Sequence, residues 1–337
     1  MILSVFSSYP IPPRLIKISS LFDMDVIYIS WNRKKYSLTP NDKIVEEIFD
    51  DSDASKIGQY FDIIRFRRFL KDKIKNYKPE IIVCRNWKTF LIARTILTKN
   101  ARMIYDVCDV PNHFLIRVIE KVFITKRTEI ILASRFFKTY YKDTSVVLEN
   151  RIAPMKMVPK HPSEKLRIMY LGVVRYTENL LNLIKACDLL EDVELNIYGY
   201  GNSLDAIREY KKLKNSKVII HGEYKESDIP EIYSRNDVVW CAYPYRLSNV
   251  KIAISNKYFE TLAFTTPGIF SVQTRLGELV AKNGIGYTVD PYDVNCIRNL
   301  IESIKNNRES LHEKENSIRI CDEKKYWEEY KEEVKLK

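Results

Sequence analysis

Three apolar, β-branched runs in the second half of the chain end directly on glycine: LRIMYLG at Gly172, VELNIYG at Gly199 and KVIIHG at Gly222. Runs of this length, separated by segments with helical period, describe strand–turn–helix repeats, which fold as parallel sheet covered by helices. Glycine after a strand permits a sharp turn and lets backbone approach a ligand closely. In open parallel sheets, ligands bind beyond the carboxyl ends of the strands, where helix N-termini also point. The spacing therefore predicts an α/β chain with a ligand site in its second half.

The alternation runs through the whole chain. In the second half it predicts strands over 166–172, 193–199, 217–222, 237–243, 267–272 and 286–290, and in the first half over 2–6, 26–30, 80–84, 102–106, 129–133 and 145–149. Between them, Ile63, Phe66, Leu70, Ile74 and Tyr77 recur at steps of three and four, the core stripe of an amphipathic helix. Residues 150–165 carry Pro154, Pro159 and Pro162 and show no period, so they read as a connection. At 337 residues the chain exceeds what one core usually serves. The expected division is 1–152, a linker at 153–165, and 166–319. A charged terminal helix over 320–337, with Tyr326, Trp327 and Tyr330 as its apolar stripe, is expected to pack back on a domain, the first being the candidate.

Charge is unevenly placed. Residues 1–150 hold 26 Lys and Arg against 17 Asp and Glu, which is +9 of the net +11, while eight of the nine glycines lie beyond residue 150. The halves are thus suited to different partners. No apolar run reaches the roughly 20 residues needed to cross a bilayer, and MILSVFSSYP reads as a first strand rather than a leader. A cytoplasmic protein is expected. Six scattered cysteines without a CxxC pair, and four histidines without HExxH spacing, suggest neither disulfides nor a metal site, and the cysteines are expected to be buried. Asp51-Ser52-Asp53 reads as an acidic surface loop.

The segment Ser255-Asn256-Lys257-Tyr258-Phe259-Glu260 has helical apolar spacing and opens on capping residues. A helix starting here would present free amides, its positive dipole end and the Lys257 cation to a diphosphate. Glu260, one turn inside, could accept hydrogen bonds from both hydroxyls of a ribose. Taken alone, the segment fits a capped surface helix with a solvated glutamate better than a ligand site.

Its context resembles the nucleotide-binding signature of the family-four retaining glycosyltransferases. The resemblance is carried by Tyr170-Leu171-Gly172 with Arg175, Tyr198-Gly199-Tyr200-Gly201, His221-Gly222-Glu223-Tyr224, Tyr243-Pro244, Asn249, the Ser255–Glu260 segment, Thr274 and Gly277-Glu278. It spans roughly residues 166–300. The first half resembles the same family through Ser7-Ser8-Tyr9-Pro10 leading to Arg14, and through Tyr105-Asp106 and Glu149-Asn150. The resemblance implies a GT-B fold, two Rossmann-like domains facing each other across a cleft. It also implies transfer of a sugar from a nucleotide-diphosphate-sugar to a hydroxyl acceptor with retention and without metal. No cofactor is implied, and UDP is expected ahead of GDP. On the donor side it implies Gly172, Gly199, Tyr224, Asn249, Ser255, Asn256, Glu260, Thr274, Arg275 and Gly277, with Arg175 and Lys257 on the diphosphate. Asp109, just past a strand, is a base candidate whose alternative is a helix cap. The family's paired-glutamate pattern is incomplete here, because its first position is Ile252.

The acceptor is expected on the basic half, at Ser8, Tyr9 and Arg14. Arg65, Arg68, Lys71 and Lys75 fall on one helix face, suited to an anionic membrane surface or a lipid-linked glycan; a solvated face is the equal alternative. Other readings are a nucleotide-sugar epimerase, a donor-binding homologue that no longer transfers, and a basic nucleic-acid-binding protein. The last has no helix-turn-helix, RNA-recognition or zinc pattern to support it.

Overall fold

Two all-parallel sheets account for every strand described, as continuous β-branched runs interleaved with helices require. The structure, a computed structural model, describes residues 1–8, 11–32, 45–50, 56–98, 100–141, 145–152 and 156–321. The chain divides into two compact units, Met1–Glu149 and a second beginning at Asn150. Tyr9, the Asp51–Asp53 loop and nearly all of the expected terminal helix lie outside the described residues.

The first unit runs β1 (Ile2–Phe6), α1 (Pro13–Ser19), β2 (Val26–Asn32), β3 (Val45–Asp50), α2 (Lys56–Tyr77), β4 (Ile81–Arg85), α3 (Asn86–Arg94), β5 (Arg102–Val107), α4 (Phe114–Phe123), β6 (Thr128–Leu132) and β7 (Ser145–Val147). Its sheet has the order β3-β2-β1-β4-β5-β6-β7. All five residues of β1 are buried, as befits an interior strand. β3 was not expected. Its sequence, VEEIFD, carries three acids, which an edge strand tolerates because one side has no neighbouring strand.

Two expectations in this unit are corrected. The buried stripe of α2 is Asp62, Phe66, Leu70 and Ile74, and Ile63 is 39% exposed. Phe66 sets this register by stacking on Trp31 at 4.7 Å, while the buried Asp62 carboxylate is answered by Arg65 at 2.9 Å. Arg14 is not presented to an acceptor. It is 6% exposed, grips Asp106 through Nε and Nη2 at 2.9 and 2.7 Å, and donates to the Leu148 carbonyl. An arginine so paired holds strand ends together, and breaking the pair would leave Asp106 charged and buried.

The second unit runs β8 (Leu166–Leu171), α5 (Thr177–Asp188), β9 (Val193–Tyr198), α6 (Leu204–Lys214), β10 (Ile219–Gly222), α7 (Ile229–Ser234), β11 (Val238–Cys241), α8 (Ser248–Ile252), α9 (Asn256–Ala263), β12 (Gly268–Ser271), α10 (Arg275–Asn283), β13 (Gly286–Val289), α11 (Val294–Asn306) and α12 (Arg308–Ile320). The sheet order is β10-β9-β8-β11-β12-β13. Leu183, Ile184, Ile197, Trp240, Ile269 and Ile301 form part of one buried core between sheet and helices. Residues 156–165 have no regular structure, yet Lys160 Nζ ties them to this unit, donating to the carbonyls of Tyr233 and Asn236 and to Thr266 Oγ1. Cys84, Cys187 and Cys241 are buried as expected, whereas Cys296 is exposed on α11.

Candidate functional site

Strand order decides where a ligand can sit. β8 adds β9 and β10 on one side, and the chain then crosses to add β11, β12 and β13 on the other, so the order reverses between β8 and β11. Connections leave that point in opposite directions and open a crevice beyond the carboxyl ends of the two strands. Gly172 comes directly after β8, and the N-terminus of α9 comes after β11 and α8.

Gly172 has φ +128° and Gly199, after β9, has φ +132°, conformations that L side chains rarely adopt. A Cβ on Gly199 would lie 1.8 Å from the Gly172 carbonyl oxygen, so the two turns are packed backbone to backbone. A Cβ on Gly172 would meet only Lys257 Cε, at 3.8 Å. The glycine at 199 is thus demanded by packing, and the one at 172 opens space in front of Lys257.

Ser255 occupies the cap position of α9 in extended backbone, but its hydroxyl makes no cap bond and, although buried, finds no partner among the described residues. The amides of Asn256 and Lys257 likewise donate to no described residue. This end of the helix keeps the donors that a phosphate would take. Lys257 and Glu260 are 8% and 7% exposed and form an ion pair one turn apart. Tyr233, from α7, donates its hydroxyl to Glu260 Oε2 at 2.8 Å and stacks on Phe264 at 4.3 Å. Both bonds fall on Oε2, so Oε1 accepts from no described residue. A buried carboxylate held on one oxygen, with the other unused, is an acceptor set for a hydroxyl.

Burial pushes the Tyr233 phenol well above its ordinary range, and the nearby Glu260 charge adds to this. Burial, then Glu260, pushes Tyr224 up to about 12. Both remain protonated donors near neutral pH. Tyr233 had not been expected at the site. The sequence shows only a tyrosine three residues before Asn236, and its contact with Glu260 crosses 27 positions.

The remaining expected donor residues divide. Arg175 is exposed on the loop after Gly172, its guanidinium 4.8 Å from the Tyr176 ring. Asn249 lies on α8, half-buried, with Ile252 at that helix's end. Thr274 caps α10 with its hydroxyl, which accepts from the Gly277 amide at 2.9 Å. That amide is therefore occupied and not offered to a phosphate. Arg275 is exposed and paired with Glu278 at 3.2 Å. In the first unit, Asp109 is exposed on the loop after β5 and the cap position of α4 belongs to His113. Ser8 is exposed, and its carbonyl accepts from Ser30 at 2.8 Å. No group of three or more ligating side chains that could hold a metal occurs among the described residues.

Residues 154–319 match the family model described as glycosyl transferases group 1. No curated protein sequence is detectably similar to the chain. Among solved structures, it resembles sucrose-phosphate synthase from Thermosynechococcus elongatus over 94% of this chain and 93% of that one, with TM-score 0.73 at 12% identity. It resembles Anabaena HepE, solved with UDP and glucose, over 96% and 95%, with TM-score 0.69 at 14% identity. WaaG, a glycosyltransferase involved in lipopolysaccharide biosynthesis, is similar over 95% and 94%, with TM-score 0.66 at 12% identity. At such identities these neighbours share the fold, GT-B with its two Rossmann-like domains, while the match over 154–319 supplies the family of that stretch: residues 154–319 form a group 1 glycosyl transferase domain.

Proposed function

We propose that this glycosyltransferase moves a sugar from a UDP-sugar to a hydroxyl of a lipid-linked glycan or polysaccharide precursor, with retention and without a divalent metal, at the inner face of the cell membrane. The observation that carries the donor half is the grouping of Gly172, the open N-terminus of α9, Lys257 and Glu260 at the reversal point of the second sheet. The amides of Asn256 and Lys257 would receive the diphosphate, with Arg175 beside them, and Glu260 Oε1 would receive the ribose. Leaving-group charge develops on the diphosphate as the glycosidic bond breaks, so donors already aimed there stabilise the transition state most. The departing phosphate would take the acceptor's proton on the same face of the sugar. UDP in HepE and the lipopolysaccharide role of WaaG favour the choice of nucleotide and acceptor class.

Thermal unfolding in the presence of UDP, GDP, ADP and CMP tests the donor half, because a ligand that binds the native state raises its apparent stability. The expected result is the largest rise with UDP, lost in Glu260→Gln. No rise with any nucleotide, or an undiminished rise in the variant, refutes the assignment. Acceptor-dependent UDP release that persists in excess chelator tests the absence of a metal. Release without acceptor would favour an epimerase or a hydrolase.

A further inference from the structure

α4 is turned inside out for a surface helix. Phe114, Leu115, Val118, Ile119 and Val122 are 67%, 61%, 42%, 47% and 72% exposed. At about 100° per residue these five positions share a single arc of the helix. Its only acid, Glu120, points the other way, is 1% exposed, and accepts from the hydroxyls of Tyr105 and Tyr141. Isolated exposed apolar side chains are ordinary on protein surfaces, but a contiguous apolar stripe marks something that binds there.

The surroundings identify the occupant. Arg117 and Lys121 border the stripe, exposed Lys126 and Arg127 come after the helix, and residues 110–127 contain no acid except the buried Glu120. α3 packs against both α2 and α4, so the exposed Arg65, Arg68, Lys71 and Lys75 of α2 belong to the same helical layer. That layer also exposes Phe61 and Ile64, at 62% and 49%. A second copy of the chain fits poorly, because a two-fold contact would bring Arg117 and Lys121 against their own equivalents with no acid to answer them. An anionic bilayer surface satisfies both parts, taking the apolar arc at the level of the upper acyl chains and the cations among the headgroups.

We propose that α4 is an interfacial helix that inserts its apolar arc into an anionic membrane, with the cations of α2 lying over the headgroups. This deepens the reading of a membrane-bound acceptor, yet its test involves no sugar transfer and so can fail separately.

The test is co-sedimentation with phosphatidylcholine vesicles containing phosphatidylglycerol, compared with pure phosphatidylcholine, for wild type, Leu115→Asn/Val122→Asn and Arg68→Glu/Lys71→Glu. Removing two apolar anchors is expected to lower partitioning at least about tenfold at low and high salt alike. The charge variant is expected to lower it chiefly at low salt. The rise in melting temperature given by UDP to wild type should be unchanged in both variants, which shows that they remain folded. Val122→Trp should bind as wild type does, with its indole emission moving to the blue on vesicles. Equal partitioning of wild type and the Asn variant would overturn the proposal. So would an unshifted indole, or a vesicle-free dimer that the Asn substitutions dissociate.

Discussion

Glu260 is held by two different kinds of partner, and substitutions separate them. Glu260→Gln keeps an acceptor for Tyr233 but removes the charge, so nucleotide affinity should fall by about 1.5–3 kcal/mol, the usual worth of a hydrogen bond to a charged group. Titration calorimetry with UDP reads this directly, and an unchanged affinity would remove Glu260 from the ribose site. Lys257→Ala should instead cost stability, about 3–5 kcal/mol in urea unfolding, because it leaves a buried carboxylate without its cation. In the first unit, burial raises the Glu120 carboxyl above its ordinary value, against the lowering effect of the hydroxyls of Tyr105 and Tyr141. A carboxyl whose folded value lies above its unfolded one contributes stability that is fully present below the unfolded value and is lost as pH rises through the folded one. Glu120→Gln does not titrate, so its urea midpoint should gain on that of wild type as pH is raised from about 4 to 8. Parallel midpoint curves would mean that Glu120 ionises in the fold as easily as in the unfolded chain.

At the scale of elements, Gly172 and Gly199 have nearly the same dihedral but different surroundings, so alanine should act differently at each. Both substitutions carry the positive-φ strain of about 1–3 kcal/mol. Gly199→Ala adds a methyl 1.8 Å from a carbonyl oxygen and should force β8 and β9 apart. Gly172→Ala has room, and should fold but bind UDP more weakly because its methyl stands before Lys257. Denaturation midpoints and UDP affinities for the pair check this; equal loss of stability would show that the stacked turns yield. The same contrast explains what was legible in the sequence. All six strands of the second sheet announce themselves as apolar runs, the pattern of a parallel sheet with helices on both faces, and β10 does so even though it is an edge strand with no buried residue. β3 stayed hidden because an edge strand can carry Glu46 and Glu47. The stripe of α2 was misread at one position because Asp62 and Ile63 are adjacent, and only packing of Phe66 on Trp31 chooses between them. Arg14 looked available since its partner, Asp106, is 92 residues away. The α9 segment is readable from its spacing and the occupied Gly277 amide is a local cap by Thr274, three residues before it, whereas the Tyr233 contact with Glu260 spans 27 positions and no local pattern carries it.

For the molecule as a whole, the two units have separate sheets, and nearly all of the basic excess falls in the first while the candidate donor site falls in the second. At the proposed donor site, binding energy from a nucleotide would enter through the second unit, through β8, β11, α9 and the turns between them. A ligand at 100 times its dissociation constant stabilises the state it binds by about 2.7 kcal/mol. Hydrogen exchange in saturating UDP should therefore slow most in β8, β9, β11 and α9, where opening the structure means losing the ligand, and little in β1 through β7. The Leu115→Asn/Val122→Asn variant should give the same pattern, because α4 belongs to the first unit and the proposed donor residues to the second. Equal slowing throughout both sheets would instead show that the units open as one, and that occupancy of the donor site is felt at the proposed membrane face.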